Sequence, residues 1–252
     1  MHTDKSFDEL VQDGMSLPFS GWDFSVISDR WTFARTSWDY GALVRQRLTG
    51  IERLLDMDTG GGEFLASLAP LPPVTYATEN YPPNIPVARH RLEPLGARVV
   101  SDYLDEHLPF EAGFFDLVIN RHGSFDSGEL YRILRPGGIF FTQQVGGENN
   151  IRLNELLQDE VYFEYANWTL AECTRWLREA GFRVLLAQEE HPEEVFYDIG
   201  AVVFLLRVIS WQVADFSVEK YRDKLYAIHE LIQREGKLVS YAHRLLIEAI
   251  KD

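Results

Sequence analysis

The chain has 252 residues, of which 46% are hydrophobic, enough for one sizeable core plus an elaboration. Its 39 acidic residues outnumber 24 basic ones, and the net charge of −15 disfavours nucleic acid as the main partner, because nucleic-acid binding usually draws on a basic patch. The single cysteine, Cys173, excludes an intramolecular disulfide framework and is compatible with a reducing cytosol. A small basic patch within the acidic total stays an open alternative.

The N-terminus and the most apolar run of the chain predict no targeting or membrane segment. Met1 to Asp13 contains acidic and polar residues where a secretory signal needs an apolar core. The run from Ile199 to Ile209 contains Arg207 and is far shorter than a membrane span of about 20 residues. We therefore expect a soluble, cytoplasmic protein, in which Cys173 packs on a helix rather than acts as a nucleophile.

Residues 1–48 are rich in aromatic side chains and are predicted to form an N-terminal extension. A helix is expected from Tyr40 to Leu48. Residues 49–190 then alternate between strand and helix patterns, as in a doubly wound parallel sheet.

The first strand of that sheet, Ile51 to Met57, leads into a glycine turn and a helix-like pattern. Three adjacent glycines allow backbone N–H groups to face a ligand without obstruction by Cβ atoms. The helix that follows adds a partial positive charge at its N-terminus. The turn supplies six candidate cofactor-binding residues: Asp56, Asp58, Thr59, Gly60, Gly61 and Gly62.

An acidic residue, Glu79, follows the next apolar run, where an α/β cofactor fold places the carboxylate that binds the ribose. The turn and Glu79 together indicate an adenosine-type cofactor. A nicotinamide enzyme would require the G-x-G-x-x-G pattern, but its third glycine is replaced by Leu65. Asp56 and Asp58 also disfavour a pyrophosphate and suit a cationic ligand. S-adenosylmethionine (SAM) carries a sulfonium, an ammonium and no phosphate.

The segment from Asp56 to Gly62 resembles the first motif of the class I SAM-dependent methyltransferases, within which the chain looks like methyltransferase type 11. Asp58 stands in the place of the motif's first glycine, and Gly60 and Gly62 match the next two. The resemblance continues for about 150 residues and implies SAM as cofactor. It also implies that Glu79 binds the ribose, with Asn80 assisting.

The same resemblance extends to the third and fourth strands. Val99 to Tyr103 is similar to the third strand and its loop, which implies adenine contacts from Asp102 and Tyr103, although Leu104 or Asp105 could hold that register. Leu108-Pro109-Phe110 and Phe114 to Asn120 resemble the passage into the fourth strand, whose end opens onto the methyl group. Asn120 and Arg121 are therefore further candidates for cofactor binding.

The remainder of the chain completes a seven-stranded sheet. Tyr131 to Gly138 resembles the helix and Leu-x-Pro-Gly-Gly turn before the fifth strand, Ile139 to Val145. Phe182 to Ala187 is predicted as the sixth strand, and residues 243–252 hold the last, which the resemblance implies is antiparallel. Residues 191–242 are mostly helical in pattern and are predicted to be a cap inserted before that final strand.

Methyl transfer from a sulfonium needs alignment and exclusion of water, and it needs a base only if the acceptor loses a proton. His122, directly after the fourth strand, is the candidate general base; a structural histidine, or one that only touches the cofactor, is the alternative. Arg121 could hold an acidic substrate or bridge to the carboxylates of the first turn. Four aromatic residues are candidates for the substrate site, unless they only pack the cap onto the sheet: Trp22, Trp38, Tyr40 and Tyr197.

No metal site is predicted, because no two histidines have the three- or four-residue spacing of a helical metal pair. The leading hypothesis is a SAM-dependent methyltransferase that acts on a small or medium-sized molecule, with O, N or C as the acceptor atom. RNA base methylation and SAM binding without transfer are the alternatives, and a nicotinamide oxidoreductase is the residual one at the level of the fold. The oligomeric state is left open.

Overall fold

The structure, a computed structural model, describes residues 5–19 and 24–252. In chain order, the strands of these residues are β1 (Trp31–Phe33), β2 (Arg53–Met57), β3 (Val74–Thr78), β4 (Ala97–Val100), β5 (Phe115–Arg121), β6 (Leu134–Val145), β7 (Phe182–Glu190), β8 (Glu193–Phe196), β9 (Leu238–Tyr241) and β10 (Arg244–Lys251). Their α-helices are α1 (Phe7–Ser16), α2 (Tyr40–Arg47), α3 (Glu63–Ser67), α4 (Asn84–Leu92), α5 (Ser127–Ile133), α6 (Ile151–Leu157), α7 (Leu170–Glu179), α8 (Ile199–Val208) and α9 (Arg222–Glu235).

The described chain divides into two compact units, each assembled from separate segments of sequence. The first unit contains the described residues up to Thr36 together with Gly146–Trp168 and Glu190–His243. The second contains Ser37–Val145, Thr169–Glu189 and Arg244–Asp252. The domain boundaries expected from the sequence stay a prediction.

The second unit is built on a seven-stranded sheet with the order β4-β3-β2-β5-β6-β10-β7 among the described residues. Strands β2 to β6 run parallel to their neighbours, whereas β10 pairs with β6 antiparallel, with Leu246 opposite Gln143. The predicted doubly wound sheet with an antiparallel last strand is confirmed.

Continuous burial explains why the central strands of this unit are so apolar. Four of the five residues of β2 are buried, and β5 is buried from Leu117 to Asn120, as expected where a parallel sheet is covered on both faces. The hydrophobic core between sheet and helices includes Val44, Leu65 and Leu92. This packing holds the ends of β2 to β5 in place.

The element boundaries differ from the prediction mainly around the fifth parallel strand. The strand β6 already begins at Leu134, because Leu134 pairs with Phe115 before the register shifts. The predicted Pro-Gly-Gly turn therefore lies inside the strand as an irregularity, with Gly137 at a φ of 76°. The helix α2 ends at Arg47 and the strand β4 at Val100, close to the predicted bounds.

The first unit has its own core and a small sheet in the order β1-β8-β9, in which all pairs are antiparallel. The helix α8 is buried along most of its length, and α1 packs against it. A Cβ atom on Gly14 would lie 2.4 Å from the carbonyl oxygen of Gly200, so glycine is what allows this close approach. Arg30 donates two hydrogen bonds to Asp198, which also caps α8.

Residues 191–242, which were predicted to be mostly helical, contain α8 and α9 but also the short strands β8 and β9. These strands pair with each other and, through β8, with β1. Among the described residues no helix combines the length and the apolar character that crossing a membrane requires.

Candidate functional site

The candidate site lies in the second unit, where the chain order of the sheet reverses. From β2 the chain continues to β3 on one side, whereas β5 pairs on the other side of β2. Open α/β sheets bind ligands outside the carboxyl ends of their strands at such a switch point. Most of the predicted cofactor residues follow the carboxyl ends of β2, β3, β4 and β5.

The turn after β2 has the left-handed backbone that the glycine motif requires, including at its one non-glycine position. Asp58 has a φ of 53°, Gly60 of 63° and Gly62 of 80°. Aspartate is among the few residues that enter this region at modest cost. The N–H of Asp58 donates to Thr78 Oγ1 over 3.2 Å, and the N–H of Thr59 donates to the Thr78 carbonyl over 2.9 Å. These two bonds tie the turn to the end of β3.

The side chain of Asp58 joins the turn to two other loops. Its Oδ1 accepts a hydrogen bond from the Tyr103 hydroxyl at 2.5 Å. A Cβ atom on Gly123 would lie 2.3 Å from Asp58 Oδ2, so the loop after β5 touches the same carboxylate. Burial raises the pKa of Asp58 to about 6, with repulsion from Asp105 and Glu79 adding to the effect and the Tyr103 hydrogen bond opposing it.

Asp56, at the end of β2, is the second carboxylate of the turn and is fully enclosed. Its Oδ2 accepts a hydrogen bond from the Thr59 hydroxyl at 2.7 Å. The pKa of Asp56 is raised to about 7, and burial is the largest cause. The charge of Asp58 adds to this rise, whereas the Thr59 hydrogen bond and the charge of Arg121 oppose it. A buried and a half-buried carboxylate, both with raised pKa values, make a site that gains from a bound cation.

The ends of β3 and β4 are joined by a second set of contacts. Glu79 is buried, and its Oε1 accepts the N–H of Tyr81 at 2.7 Å. Asn80 donates from Nδ2 to the Tyr103 carbonyl at 2.8 Å and accepts the N–H of Asp102 at 2.9 Å. Asp102 is exposed and has a φ of 63°. Asn80 therefore shapes the loop that carries the two predicted adenine contacts.

Asn120, at the end of β5, is buried and engaged with protein groups. Its Oδ1 accepts from Gln144 Nε2 at 2.6 Å and from the N–H of Gly123 at 3.3 Å. Its Nδ2 donates to the Ser124 carbonyl at 3.2 Å. These bonds hold the loop that follows Arg121, the last residue of β5. The Arg121 guanidinium lies 5.4 Å from the ring centroid of Phe64.

His122 belongs to a chain of three side chains that determines its protonation state. Trp38 Nε1 donates to Gln143 Oε1 at 2.8 Å, and Gln143 Nε2 lies 3.0 Å from His122 Nε2. Because the indole N–H can only donate, the amide oxygen faces Trp38 and the amide nitrogen donates to the imidazole. Desolvation by surrounding atoms, with the charges of Arg244 and Arg121, holds the pKa of His122 well below its usual range, although part of the residue stays exposed.

The four aromatic residues predicted to contact substrate have different surroundings. Tyr40 is buried in the core of the second unit, where its hydroxyl donates to the carbonyls of Asn120 and Phe141 and its ring stacks on Phe141. Trp38 is half-buried beside Gln143. Tyr197, in the first unit, is exposed. Trp22 lies outside the described residues. Their substrate roles stay predictions.

Three residues at the site were missed in the sequence: Thr78, Gly123 and Gln143. Gln143 interrupts an apolar strand at the edge where ligands bind, and that polar break was an available signal. Thr78 and Gly123 act only through contacts between distant loops, which one sequence does not display.

Comparison with known proteins identifies the fold and the domain. Residues 55–142 match the family described as Methyltransferase domain, which covers the turn, Glu79, Tyr103 and His122. They form a class I SAM-dependent methyltransferase domain. The resemblance inferred from the motifs is thereby confirmed.

One curated relative of this methyltransferase domain is demethylmenaquinone methyltransferase of Thermus thermophilus, which is 31% identical over 133 residues. The match spans 46% of this chain and 60% of that relative.

Solved structures share the fold at lower identity. A candidate methyltransferase of Bacillus halodurans is 21% identical with a TM-score of 0.60, covering 84% of this chain and 98% of that one. Phosphoethanolamine N-methyltransferase 2 of Haemonchus contortus, solved with phosphomonomethylethanolamine and S-adenosylhomocysteine, is 18% identical with a TM-score of 0.52, covering 85% and 53%. The [4+2]-cyclase SpnF is 17% identical with a TM-score of 0.50, covering 86% and 84%.

Proposed function

We propose that this protein is a methyltransferase that uses SAM and acts on a small or medium-sized molecule. The observation that carries the proposal is the closure of the Asp58 turn against Tyr103 and Gly123, which gathers three loops around buried carboxylates at the switch point. A pyrophosphate would be repelled by this acidic set. A ligand with sulfonium and ammonium charges would be attracted, so SAM fits better than a dinucleotide.

The residues fit such a cofactor in their chemistry. Glu79 Oε1 is held by the Tyr81 N–H, which orients a buried carboxylate that we assign to the ribose hydroxyls. Asp102 and Tyr103 are assigned to the adenine, and Asp56 to Gly62 to the amino acid end. The cofactor supplies an electrophilic methyl group on a good leaving group, so the protein contributes alignment and exclusion of water.

His122 is proposed as the group that accepts a proton when the acceptor must lose one. In its neutral form Nδ1 carries the proton and Nε2 accepts the Gln143 N–H, so Nε2 can accept a proton from the acceptor only when Gln143 releases it. The lowered pKa keeps the imidazole neutral at pH 7 and makes it a weak base. The role therefore suits an acceptor whose proton becomes acidic during transfer, such as a phenol or an activated carbon.

A hydroquinone-like aromatic ring is the first acceptor class to test, because the Thermus thermophilus relative carries demethylmenaquinone in its name. Phosphorylated amines are the second, after the Haemonchus contortus enzyme. RNA is the less favoured acceptor, since a net charge of −15 opposes binding of a polyanion. We propose the cytoplasm as the location, because a chain with the single thiol Cys173 has no internal disulfide, which suits a reducing compartment.

The decisive experiment separates cofactor binding from transfer. The protein is titrated by calorimetry with SAM, S-adenosylhomocysteine and NAD, and then incubated with methyl-labelled SAM and a panel of quinols, phenols and phosphorylated amines. Binding of the first two ligands with labelled product supports the proposal. Binding without transfer to any acceptor, including RNA, favours a SAM-binding protein without transfer activity, and binding of NAD alone overturns the assignment. Transfer must be measured directly, since a cyclase shares this fold.

A further inference from the structure

Three side chains capable of binding a metal meet in the first unit, outside the candidate site. They are Glu148, His191 and His243, which come from three separate segments of the chain. Glu148 follows β6 by three residues, His191 follows β7 directly, and His243 immediately precedes β10. The sequence predicted no metal because their spacing is not local, so it is the fold that creates this group.

The backbone around the three residues is tied together by hydrogen bonds. The N–H of Gly146 donates to the His243 carbonyl at 2.9 Å, and the N–H of Ala242 donates to the Pro192 carbonyl at 2.8 Å. The N–H of His243 donates to Asn149 Oδ1 at 3.2 Å. These bonds fix the segments that carry all three side chains, which is the preorganisation that a ligand-binding cluster needs.

The side chains themselves are already close to one another. His191 Nε2 lies 2.9 Å from Glu148 Oε2, and the rings of His191 and His243 stack with centroids 4.4 Å apart. One donor atom from each residue lies within 4.8 Å of the other two. His243 is buried, whereas His191 and Glu148 are exposed, so the cluster has a rigid inner residue and an open side through which an ion can enter.

Glycine at position 146 gives His243 its place in this cluster. A Cβ atom there would lie 2.2 Å from His243 Nδ1, so any other residue would displace the ring. The N–H of Glu148 donates to the same Nδ1 at 3.2 Å, so an ion bound at this nitrogen would replace that hydrogen bond. The loop thus both supplies one carboxylate and positions one histidine.

We propose that Glu148, His191 and His243 bind a first-row transition-metal dication, with Zn²⁺ as the best-fitting ion. Two imidazoles and a carboxylate are a donor set typical of Zn²⁺, and three protein ligands leave a coordination position for water or another small ligand. A cation also neutralises the Glu148 carboxylate. This inference is independent of the proposed function.

The required geometric change falls on the exposed side chains, His191 and Glu148. Metal–nitrogen and metal–oxygen bonds of about 2.1 Å at a tetrahedral angle place donor atoms about 3.4 Å apart. The contact between His191 and Glu148 at 2.9 Å must therefore open slightly, and the widest separation within 4.8 Å must close. Because the two rings stack at an interplanar angle of 18°, His191 must also turn out of the stack before its nitrogen and that of His243 can face one ion.

The test is a titration of the untagged, chelator-treated full chain with Co²⁺, followed by visible absorption and by competition with Zn²⁺. We expect one equivalent of Co²⁺ to give the ligand-field bands of a four- or five-coordinate ion and Zn²⁺ to displace it. Absence of a stoichiometric site in the wild-type protein overturns the proposal. The readout requires no substrate and no SAM, so failure here leaves the methyltransferase assignment untouched.

Variants of the exposed ligands provide the second arm. His191→Ala and Glu148→Gln are expected to weaken Co²⁺ binding by at least ~10- to 100-fold, since loss of a direct ligand should cost no less than loss of an outer-shell partner. His90→Ala, at an exposed histidine of α4, is the matched control and should bind as the wild type does. Unchanged affinity in either ligand variant, with thermal melts that report a folded chain, would refute the site.

Discussion

The hydroxyl of Tyr103 donates a hydrogen bond to the carboxylate of Asp58 at 2.5 Å, across 45 residues of sequence. This contact connects the loop after β4 with the turn after β2, at a position where the related motif has glycine. The carboxylate is half-buried, and desolvation raises its pKa to about 6. The side chain of Asp58 thus connects the turn after β2 with the loop after β4. Its ionised form is destabilised in the folded protein by desolvation.

The first prediction concerns stability and pH. Because the pKa of Asp58 is higher in the folded chain than in the unfolded one, the folded state binds the proton more tightly, and stability from this group falls as pH rises from about 4 through 6. Asp58→Asn, which tolerates a φ of 53°, should therefore raise the melting temperature relative to wild type more at pH 8 than at pH 4. Melting curves of both proteins at the two pH values check this; an equal difference would contradict it.

The same carboxylates should make SAM binding dependent on pH. Asp56 and Asp58 have pKa values of about 7 and 6, so they are ionised at pH 8 and largely neutral at pH 5. Affinity for the cationic cofactor should fall over that interval, and Asp58→Asn should flatten the fall. Calorimetry across the range measures both, and a pH-independent dissociation constant in the wild type would count against the assigned site.

A third prediction concerns Glu79. If its buried carboxylate accepts two charge-assisted hydrogen bonds from the ribose, Glu79→Ala should weaken binding of S-adenosylhomocysteine by about 2 to 3 kcal/mol, or roughly 30- to 150-fold. Glu93→Ala changes an exposed glutamate after α4 and serves as the control. Equal dissociation constants for the two variants would remove Glu79 from the site.

Gly60 offers a comparison that separates backbone strain from loss of ligand contact. Gly60 and Gly96 have φ values of 63° and 88°, so an alanine at either position carries a left-handed penalty of about 1 to 2 kcal/mol. A Cβ atom on Gly96 meets nothing within 4 Å. Both variants should lose stability, but only Gly60→Ala should lose SAM affinity. If Gly96→Ala binds SAM as weakly as Gly60→Ala does, the loss of affinity comes from impaired folding and not from a lost ligand contact.

The last prediction addresses the imidazole of His122. Donation from Gln143 Nε2 places the ring proton on Nδ1, and the lowered pKa keeps the ring neutral at pH 7. Nitrogen-15 NMR of labelled histidines should find one ring with this tautomer that does not titrate near its ordinary value. Gln143→Leu should change the tautomer signal, and Arg244→Met should raise the pKa. A ring with an ordinary pKa would remove His122 as a neutral proton acceptor.

Local patterns in the sequence were sufficient for the parts of the site that lie within one turn. The run from Asp56 to Gly62 and the position of Glu79 both follow from an apolar strand meeting a loop, and the alternation of strands and helices predicted the sheet. The left-handed conformation of Asp58 was uncertain from the sequence because it depends on bonds from Thr78. Those bonds arise only when β2 and β3 are paired.

Contacts between remote segments explain what was missed. Gln143 could be read as a polar break in a strand, but its bridge from Trp38 to His122 requires two strands and the segment before α2 to meet. The small sheet escaped prediction because β1, β8 and β9 are only three or four residues long, too short for a clear alternation. The cluster of Glu148, His191 and His243 has no local signal at all.

The place of β10 within the sheet has a consequence for biosynthesis. This strand, Arg244–Lys251, lies between β6 and β7, although both neighbours are made earlier. Until β10 has left the ribosome, β6 carries an open edge of unpaired backbone groups, which invites pairing with other chains. A nascent chain of this protein should therefore depend on chaperone protection until β10 has been released and has paired with β6.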